Sequence, residues 1–346
     1  MQDTTIAVDV AKSVFEVAVS RRPGRVAERH RLTRQRFARF LAEQAPSTVV
    51  MEACGMAHFW GREAQARGHQ VRLLPPRDVR PYVRGNKTDR SDATGLLEAN
   101  RNEAIRPVPV KSVEQHALVA LHRMRASWVS ARTARLNTLR GLLRELGVMI
   151  PMGARQVGPR VRELVSDAES EIPDSLRPVL AEAAREVAEL EQRIQQVEVQ
   201  LEGLAQPSPL VRRLRTVPGV GLLTATALVA SIGDFARFAS ARHFASSLGL
   251  TPRESSSGNV RRLGRITKRG DPYLRTLLLH GARSVLHHAK RSPTPDRLRA
   301  WALEREQARG HNKAAVAVAN KLARIVWATA VRDADYCGQP PKETRD

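Results

Sequence analysis

Four acids stand out in a chain that is short of them. Asp89 and Asp92 lie three apart in Asn86-Lys87-Thr88-Asp89-Arg90-Ser91-Asp92-Ala93. A helix starting there puts Asp89 at its N-terminus or on the face of Asp92. Asp9 sits inside the apolar run Ile6-Ala7-Val8-Asp9-Val10, and Glu52 ends a second run, Thr48-Val49-Val50-Met51-Glu52. An acid in or just after an apolar strand needs a partner, because a lone buried charge is too costly. Carboxylates held together repel, and the usual reason to tolerate that is a divalent cation between them. Each acid alone has a plainer role: Asp89 as a helix cap, Asp92 as a first-turn acid on the helix dipole, Glu52 as a surface acid. Together, in the order strand-Asp, strand-Glu, helix-Asp-x-x-Asp, they point to a metal site.

A second group is built from hydroxyls and cations. Ser255-Ser256-Ser257-Gly258 is flanked by Arg253, Arg261, Arg262, Arg265, Lys268 and Arg269. A serine hydroxyl there can attack a phosphodiester while guanidiniums stabilise the phosphorane charge and a base or metal takes the proton. Ser-Ser-Ser-Gly by itself is also an ordinary flexible loop. A third group is Val217-Pro218-Gly219-Val220-Gly221, running into an apolar helix. It resembles a helix-hairpin-helix, whose Gly-x-Gly turn exposes backbone N–H groups able to hold a phosphate. The alternative is a tight helical hairpin that binds nothing.

The elements that must position these groups follow from patterning. Strands are expected at 4–9, 14–19, 48–52 and 71–74, helices at 36–44 and 59–67, and a turn at 21–24. This α/β alternation places ligands at carboxyl ends of strands, where Glu52 lies. Residues 113–146 and 176–204 read as two long amphipathic helices, an antiparallel coiled coil serving as spacer or dimerisation arm. The first is lined by Arg123, Arg125, Arg132, Arg135, Arg140 and Arg144, a face either solvated or laid along phosphates. Residues 147–160 read as a loop, 207–209 as a linker, 272–287 and 313–330 as packing helices, and the segment after Asp333 as a frayed tail.

Composition narrows the partner. Lys and Arg number 57 against 35 Asp and Glu, a net charge of +22, which calls for a polyanion such as nucleic acid. A membrane surface is the alternative, but no apolar run is expected to approach the ~18 residues of a spanning helix. Asp3 and Asp9 interrupt any signal peptide. Two cysteines, Cys54 and Cys337, make neither a disulfide framework nor a zinc site, and suit a reducing cytosol. Aromatics at 4% argue against a binder that works mainly by stacking on bases.

With these blocks in this order, the chain resembles the bridge-RNA-guided, DEDD-type transposases of the insertion-sequence family numbered one hundred and ten, related to Piv-like DNA invertases. The resemblance covers nearly the whole chain. It implies an α/β RuvC-like, RNase H-type domain at 1–108 and a helical coiled-coil or dimerisation region at 109–206. A mainly α transposase domain with a helix-hairpin-helix-like element and serine loop follows at 207–332, then a tail at 333–346. Implied metal ligands are Asp9, Glu52, Asp89 and Asp92, holding Mg²⁺ or Mn²⁺. The implied nucleophile is Ser257, the serine directly before the glycine; a slip of register passes the role to Ser256 or Ser255. Implied nucleic-acid contacts are Lys87, Arg253, Arg261, Arg262, Arg265, Lys268, Arg269, Gly219 and Gly221. Implied partners are target and donor double-stranded DNA, a structured noncoding guide RNA and further copies of the chain in a dimer or tetramer, in the bacterial cytoplasm at the nucleoid and with no membrane. Many arginines grip backbones of any sequence, and RNA pairing supplies specificity. A metal-dependent nuclease or junction resolvase using water, and a non-catalytic nucleic-acid binder, are the competing readings.

Overall fold

The computed structural model describes residues 4–83 and 88–338. The chain divides into two compact units: residues 1–115 with 232–237, and residues 116–231 with 238–346.

The first unit is a three-layer α/β sandwich around one five-stranded sheet. Its elements are β1 (Thr5–Val10), β2 (Val14–Ser20), β3 (Glu28–Thr33), α1 (Arg34–Glu43), β4 (Thr48–Glu52), α2 (Ala57–Ala66), β5 (Gln70–Leu74), the single turn α3 (Pro76–Val79) and α4 (Asp89–Asn100). Spatial order is β3-β2-β1-β4-β5. β1 runs antiparallel to β2 and parallel to β4, β2 is antiparallel to β3, and β4 is parallel to β5. Side chains alternate across a strand, so each face collects its own core. Ile6, Val8, Phe15, Val17 and Val19 pack with Phe37, Leu41 and Trp60 of α1 and α2. Phe15 stacks on Phe37 and both meet Trp60 edge to face, with centroids 5.0–5.2 Å apart. The opposite face offers the small Ala7, Ala18 and Val50, and α4 lies on them through Ala93, Leu96 and Leu97.

β3 has no strand signal of its own. Its sequence Glu-Arg-His-Arg-Leu-Thr is almost wholly polar. It is an edge strand, paired along β2 from Glu28↔Val19 to Thr33↔Val14, and Arg31 reaches Glu16 at 3.5 Å. Such a strand needs a partner backbone more than an apolar face.

The second unit is helical, apart from one ribbon. It holds α5 (Val113–Glu145, from residue 116), α6 (Ala154–Ser166), α7 (Arg177–Ala205), α8 (Pro209–Leu214), α9 (Leu222–Ile232, to residue 231) and α10 (Ala241–Ser247). The antiparallel ribbon of β6 (Pro252–Glu254) and β7 (Leu263–Ile266) follows, then α11 (Pro272–Ala289), α12 (Arg297–Arg309) and α13 (His311–Val331). α5 and α7 run antiparallel. Arg125 bonds Glu198 at 2.7 Å, Arg132 faces Glu191 at 3.9 Å, and Arg135 bonds Glu186 at 2.6 Å. Pairs of this kind, reached by solvent, do little for stability and chiefly fix alignment. They also occupy three of the six arginines that, on sequence, line a phosphate-facing or solvated helix face.

Three expectations are corrected. Residues 154–166 are helical, although Pro151, Gly153 and Pro159 suggest a loop; Val157, Val161 and Leu164 pack with Leu136, Leu139 and Leu143 of α5, and that burial outweighs the hydrogen bond removed by Pro159. α13 is 21 residues long with mean hydropathy 1.3, long and apolar enough by composition to cross a membrane, where no such run was expected. Here it is the central helix of its unit, burying Ala314, Ala315, Val318, Ala319, Leu322 and Val326 against its neighbours. The start of the tail is held: Arg213 pairs with Asp333, and Tyr336 N donates to Thr216 Oγ1 at 2.9 Å.

His122 of α5 is buried, accepting or donating at 3.0 Å to both Tyr273 Oη and Thr226 Oγ1. Burial, then Arg125, pushes its imidazole down to about 4, so it is a neutral tie between α5, α9 and α11.

Gly219 has φ +80°, and a Cβ there meets Gly281 O at 2.6 Å; a Cβ on Gly281 meets Gly219 O at 2.1 Å. The hairpin before α9 therefore lies backbone to backbone on α11. Gly281→Ala is expected to lower the melting temperature by ~5–10 °C, despite alanine's better helix propensity, because backbone rather than a side-chain tip must move. Thermal unfolding followed by circular dichroism checks it; an unchanged midpoint is the contrary result.

Candidate functional site

Strand register assembles the acids. Asp9 is cross-strand from Glu16, and the parallel pairing of Val8 with Met51 brings Asp9 alongside Glu52. Alternation sends Asp9 to the face of Ala7, Glu52 to that of Val50 and Glu16 to that of Ala18. All three therefore form a row on the sheet face covered by α4, at the carboxyl ends of β1 and β4. Asp89 and Asp92 are in the first turn of α4. The cap of that helix is Thr88: its Oγ1 accepts from Ser91 N at 3.2 Å, and Ser91 Oγ accepts from Thr88 N at 3.0 Å. The capping role open to Asp89 on sequence is thus taken by its neighbour. Arg29 of β3 ties this turn to the sheet, donating to Thr94 Oγ1 at 2.9 Å and Arg90 O at 3.4 Å.

The acids act on one another. The Asp9 carboxyl is pushed up to about 6, first by burial and then by Asp92, Asp89, Glu52 and Glu16 in that order. Burial, then Glu52 and Asp9, also raises the half-buried Cys54 thiol, so it borders the same negative field. Among the described residues no ion pair reaches Asp9, Asp89 or Asp92, in a chain with 57 lysines and arginines. Acids gathered this closely, three of them outside any described ion pair, suit a divalent metal, hard and oxygen-seeking. No three acid, histidine or cysteine side chains among the described residues stand close enough to ligate one ion as they lie. Glu16 belongs to this row and was missed on sequence. Its signal was present, an acid inside the alternating Val14-Phe15-Glu16-Val17, but only the register opposite Asp9 gives it meaning.

The serines lie in the other unit, at the end of the ribbon rather than in a free loop. Ser257 and Val260 bond each other's backbone at 3.3 and 3.2 Å, and Gly258 turns the chain at φ +56°. Ser256 Oγ donates to Glu254 Oε1 at 2.8 Å and accepts from Arg262 N at 3.2 Å, while Arg261 Nε also meets Glu254 Oε1 at 3.2 Å. Among the described residues no hydrogen bond engages the Ser257 hydroxyl. The ribbon root is fixed where Gly249, at φ +70°, passes against the backbone of Arg269. Arg253, Arg262, Arg265, Lys268 and Arg269 are all exposed around it. Gly221 faces open space, whereas Gly219 is already required by its contact with α11. Lys87 and Asn86 lie outside the described residues.

A mixed α/β sheet domain carrying such acids, followed by a helical C-terminal region, is the architecture of a DEDD, RuvC-like transposase. Sequence comparison agrees. Residues 6–148 match the DEDD-type IS110 transposase model, and residues 211–298 match that of the transposase IS116/IS110/IS902 family. The chain is 42% identical over 337 residues to a probable family 20 transposase of Pseudomonas aeruginosa, covering 97% of this chain and 99% of that one. It is 37% identical to the transposase for insertion sequence element IS1111A of Coxiella burnetii, covering 98% and 93%, and 34% identical to that of IS1328 of Yersinia enterocolitica, covering 94% and 96%. The chain belongs to the IS110 family of transposases.

Proposed function

We propose that this transposase cuts and rejoins DNA strands through metal-assisted attack of Ser257 on a phosphodiester, guided by a structured noncoding RNA. The observation that carries the reading is the convergence of acids on Asp9, whose carboxyl is raised by Asp92, Asp89, Glu52 and Glu16, while among the described residues Asp9, Asp89 and Asp92 meet no ion pair. Asp9, Glu52, Asp89 and Asp92 would hold Mg²⁺ or Mn²⁺, which when bound would polarise the scissile phosphate. Ser257 Oγ forms a bond to phosphorus as the P–O bond to the leaving strand breaks, and the departing oxygen takes up the proton. A hydroxyl of a second strand then reverses the step and frees the serine. Exposed arginines on the ribbon offset charge on the phosphorane. Residues 109–206 join copies of the chain into a dimer or tetramer holding two duplexes, and base pairing to the RNA selects them. The acids and Ser257 occupy different units, so an acid-only hydrolase acting through water is the competing reading.

Purification from cells carrying the whole element, followed by nucleic-acid extraction, tests the guided part. A discrete RNA that must be added back for strand transfer to duplex DNA is the expected result. Strand transfer at full rate by RNA-free protein contradicts it.

A further inference from the structure

The ribbon that carries Ser257 stands over a cleft of about 670 Å³. Gly264 and Ile266 wall it on the ribbon side. Trp301 and Arg309 of α12, with Lys313, Asn320, Lys321 and Arg324 of α13, wall it on the helix side. A second cleft of about 590 Å³ shares Asn320 and Arg324 and adds Arg242 and Arg261. One face of α13 is the unit's buried core. Positions 313, 320, 321 and 324, at helical spacing, form its other face.

These cations are unlike those of α5. There, three arginines each meet a glutamate of α7. Among the described residues, Arg242, Arg309, Lys313, Lys321 and Arg324 enter no ion pair. Lys321 Nζ lies 4.0 Å from the centroid of the Trp301 ring. Partial burial, then Arg297 and Arg324, pushes that ammonium below its ordinary range, with Glu304 acting the other way. A partly covered cation beside two other cations gains from an anion brought close to it.

We propose that this cleft seats the phosphodiester backbone of the DNA strand beside the serine ribbon. The inference rests on the transposase reading for the identity of the polyanion. Two features favour backbone over bases. The cations line an open cleft rather than closing on one small anion, and the ring face of Trp301 is covered by Lys321 instead of being free to stack. Asn320 is held by Leu250 O at 3.1 Å, which ties the α13 face to the ribbon root and so sets the strand's distance from Ser257.

The test is fluorescence anisotropy of full-length protein with a labelled element-end duplex, in EDTA, across a salt series. Lys321→Ala with Arg324→Ala is expected to weaken binding by about tenfold and to flatten the salt dependence by about two phosphate contacts. Arg283→Ala, an exposed arginine of α11, is expected to stay within about twofold. Trp301→Ala is expected to weaken binding severalfold and Trp301→Phe to restore most of it, since phenylalanine still backs the lysine. Circular dichroism melts of each variant accompany the titrations. An unchanged salt slope in the double variant, an equal loss in Arg283→Ala, or a loss confined to single-stranded RNA probes overturns the proposal. Because binding is read in EDTA, where no metal-assisted step can occur, failed chemistry leaves these titrations unchanged and failed seating does not, so the two give different results.

Discussion

Asp9→Asn is expected to abolish strand transfer while raising the melting temperature of the metal-free protein. The two effects share one cause. The folded chain raises the Asp9 carboxyl from 3.8 to about 6 through burial and four neighbouring acids. A raised acid is least costly when protonated, so its penalty is absent below about pH 4, grows as pH rises through about 6, and is complete at pH 7.5. The full shift corresponds to ~3 kcal/mol, which partial exposure reduces to about 1–2 kcal/mol. Asparagine removes that charge without changing shape, and a rise of ~3–6 °C at pH 7.5 follows. At pH 4.5 parent and variant should melt much closer together. Mg²⁺ or Mn²⁺ should raise the parent's melting temperature at pH 7.5 and do so far less in the variant. Losing the central carboxylate of the site is expected to reduce strand transfer by at least ~10³-fold. A variant that melts lower at pH 7.5, or that still transfers strands, contradicts the site.

With Mg²⁺ the parent is expected to form a covalent protein–DNA adduct that survives SDS, and Ser257→Ala is expected to eliminate it. The three adjacent serines separate on geometry. Ser255 gives its backbone N–H to Arg262 O at 3.0 Å and belongs to the ribbon ladder. The Ser256 hydroxyl is held between Glu254 and Arg262 N. Only Ser257 combines the turn position with a hydroxyl that no hydrogen bond among the described residues engages. Ser256→Ala should therefore keep the adduct and slow its formation by about tenfold, as the Glu254 brace loosens. An adduct that persists in Ser257→Ala and vanishes in Ser256→Ala transfers the role to Ser256. A parent that cuts DNA in Mg²⁺ and never forms the adduct is a hydrolase.

Much of the α/β unit was written in local pattern. Ile6-Ala7-Val8, Val14 to Val19 and Val49-Val50-Met51 have the apolar runs of buried strands, and α5 and α7 repeat leucines at helical spacing. Local pattern also marked Asp9, Glu52, Asp89 and Asp92 as acids out of place. It did not mark β3, whose polar residues depend on the β2 backbone, or α6, whose proline is outweighed by three buried side chains. It read the serine segment as a loop because the pairing of Pro252 with Ile266 spans fourteen residues, beyond any short period.

By itself the sequence determined which side chains carry charge, hydroxyl or apolar bulk, and so the class of chemistry and the kind of partner. Only the tertiary structure decided which charges meet. Strand register placed Glu16 and Glu52 beside Asp9, Thr88 took the cap from Asp89, and α7 paired with three arginines on α5, while among the described residues Lys313, Lys321 and Arg324 of α13 enter no ion pair. The physical reason is range. Backbone periodicity acts over a few residues, whereas a Coulomb field depends on distance through space, which the folded chain alone sets.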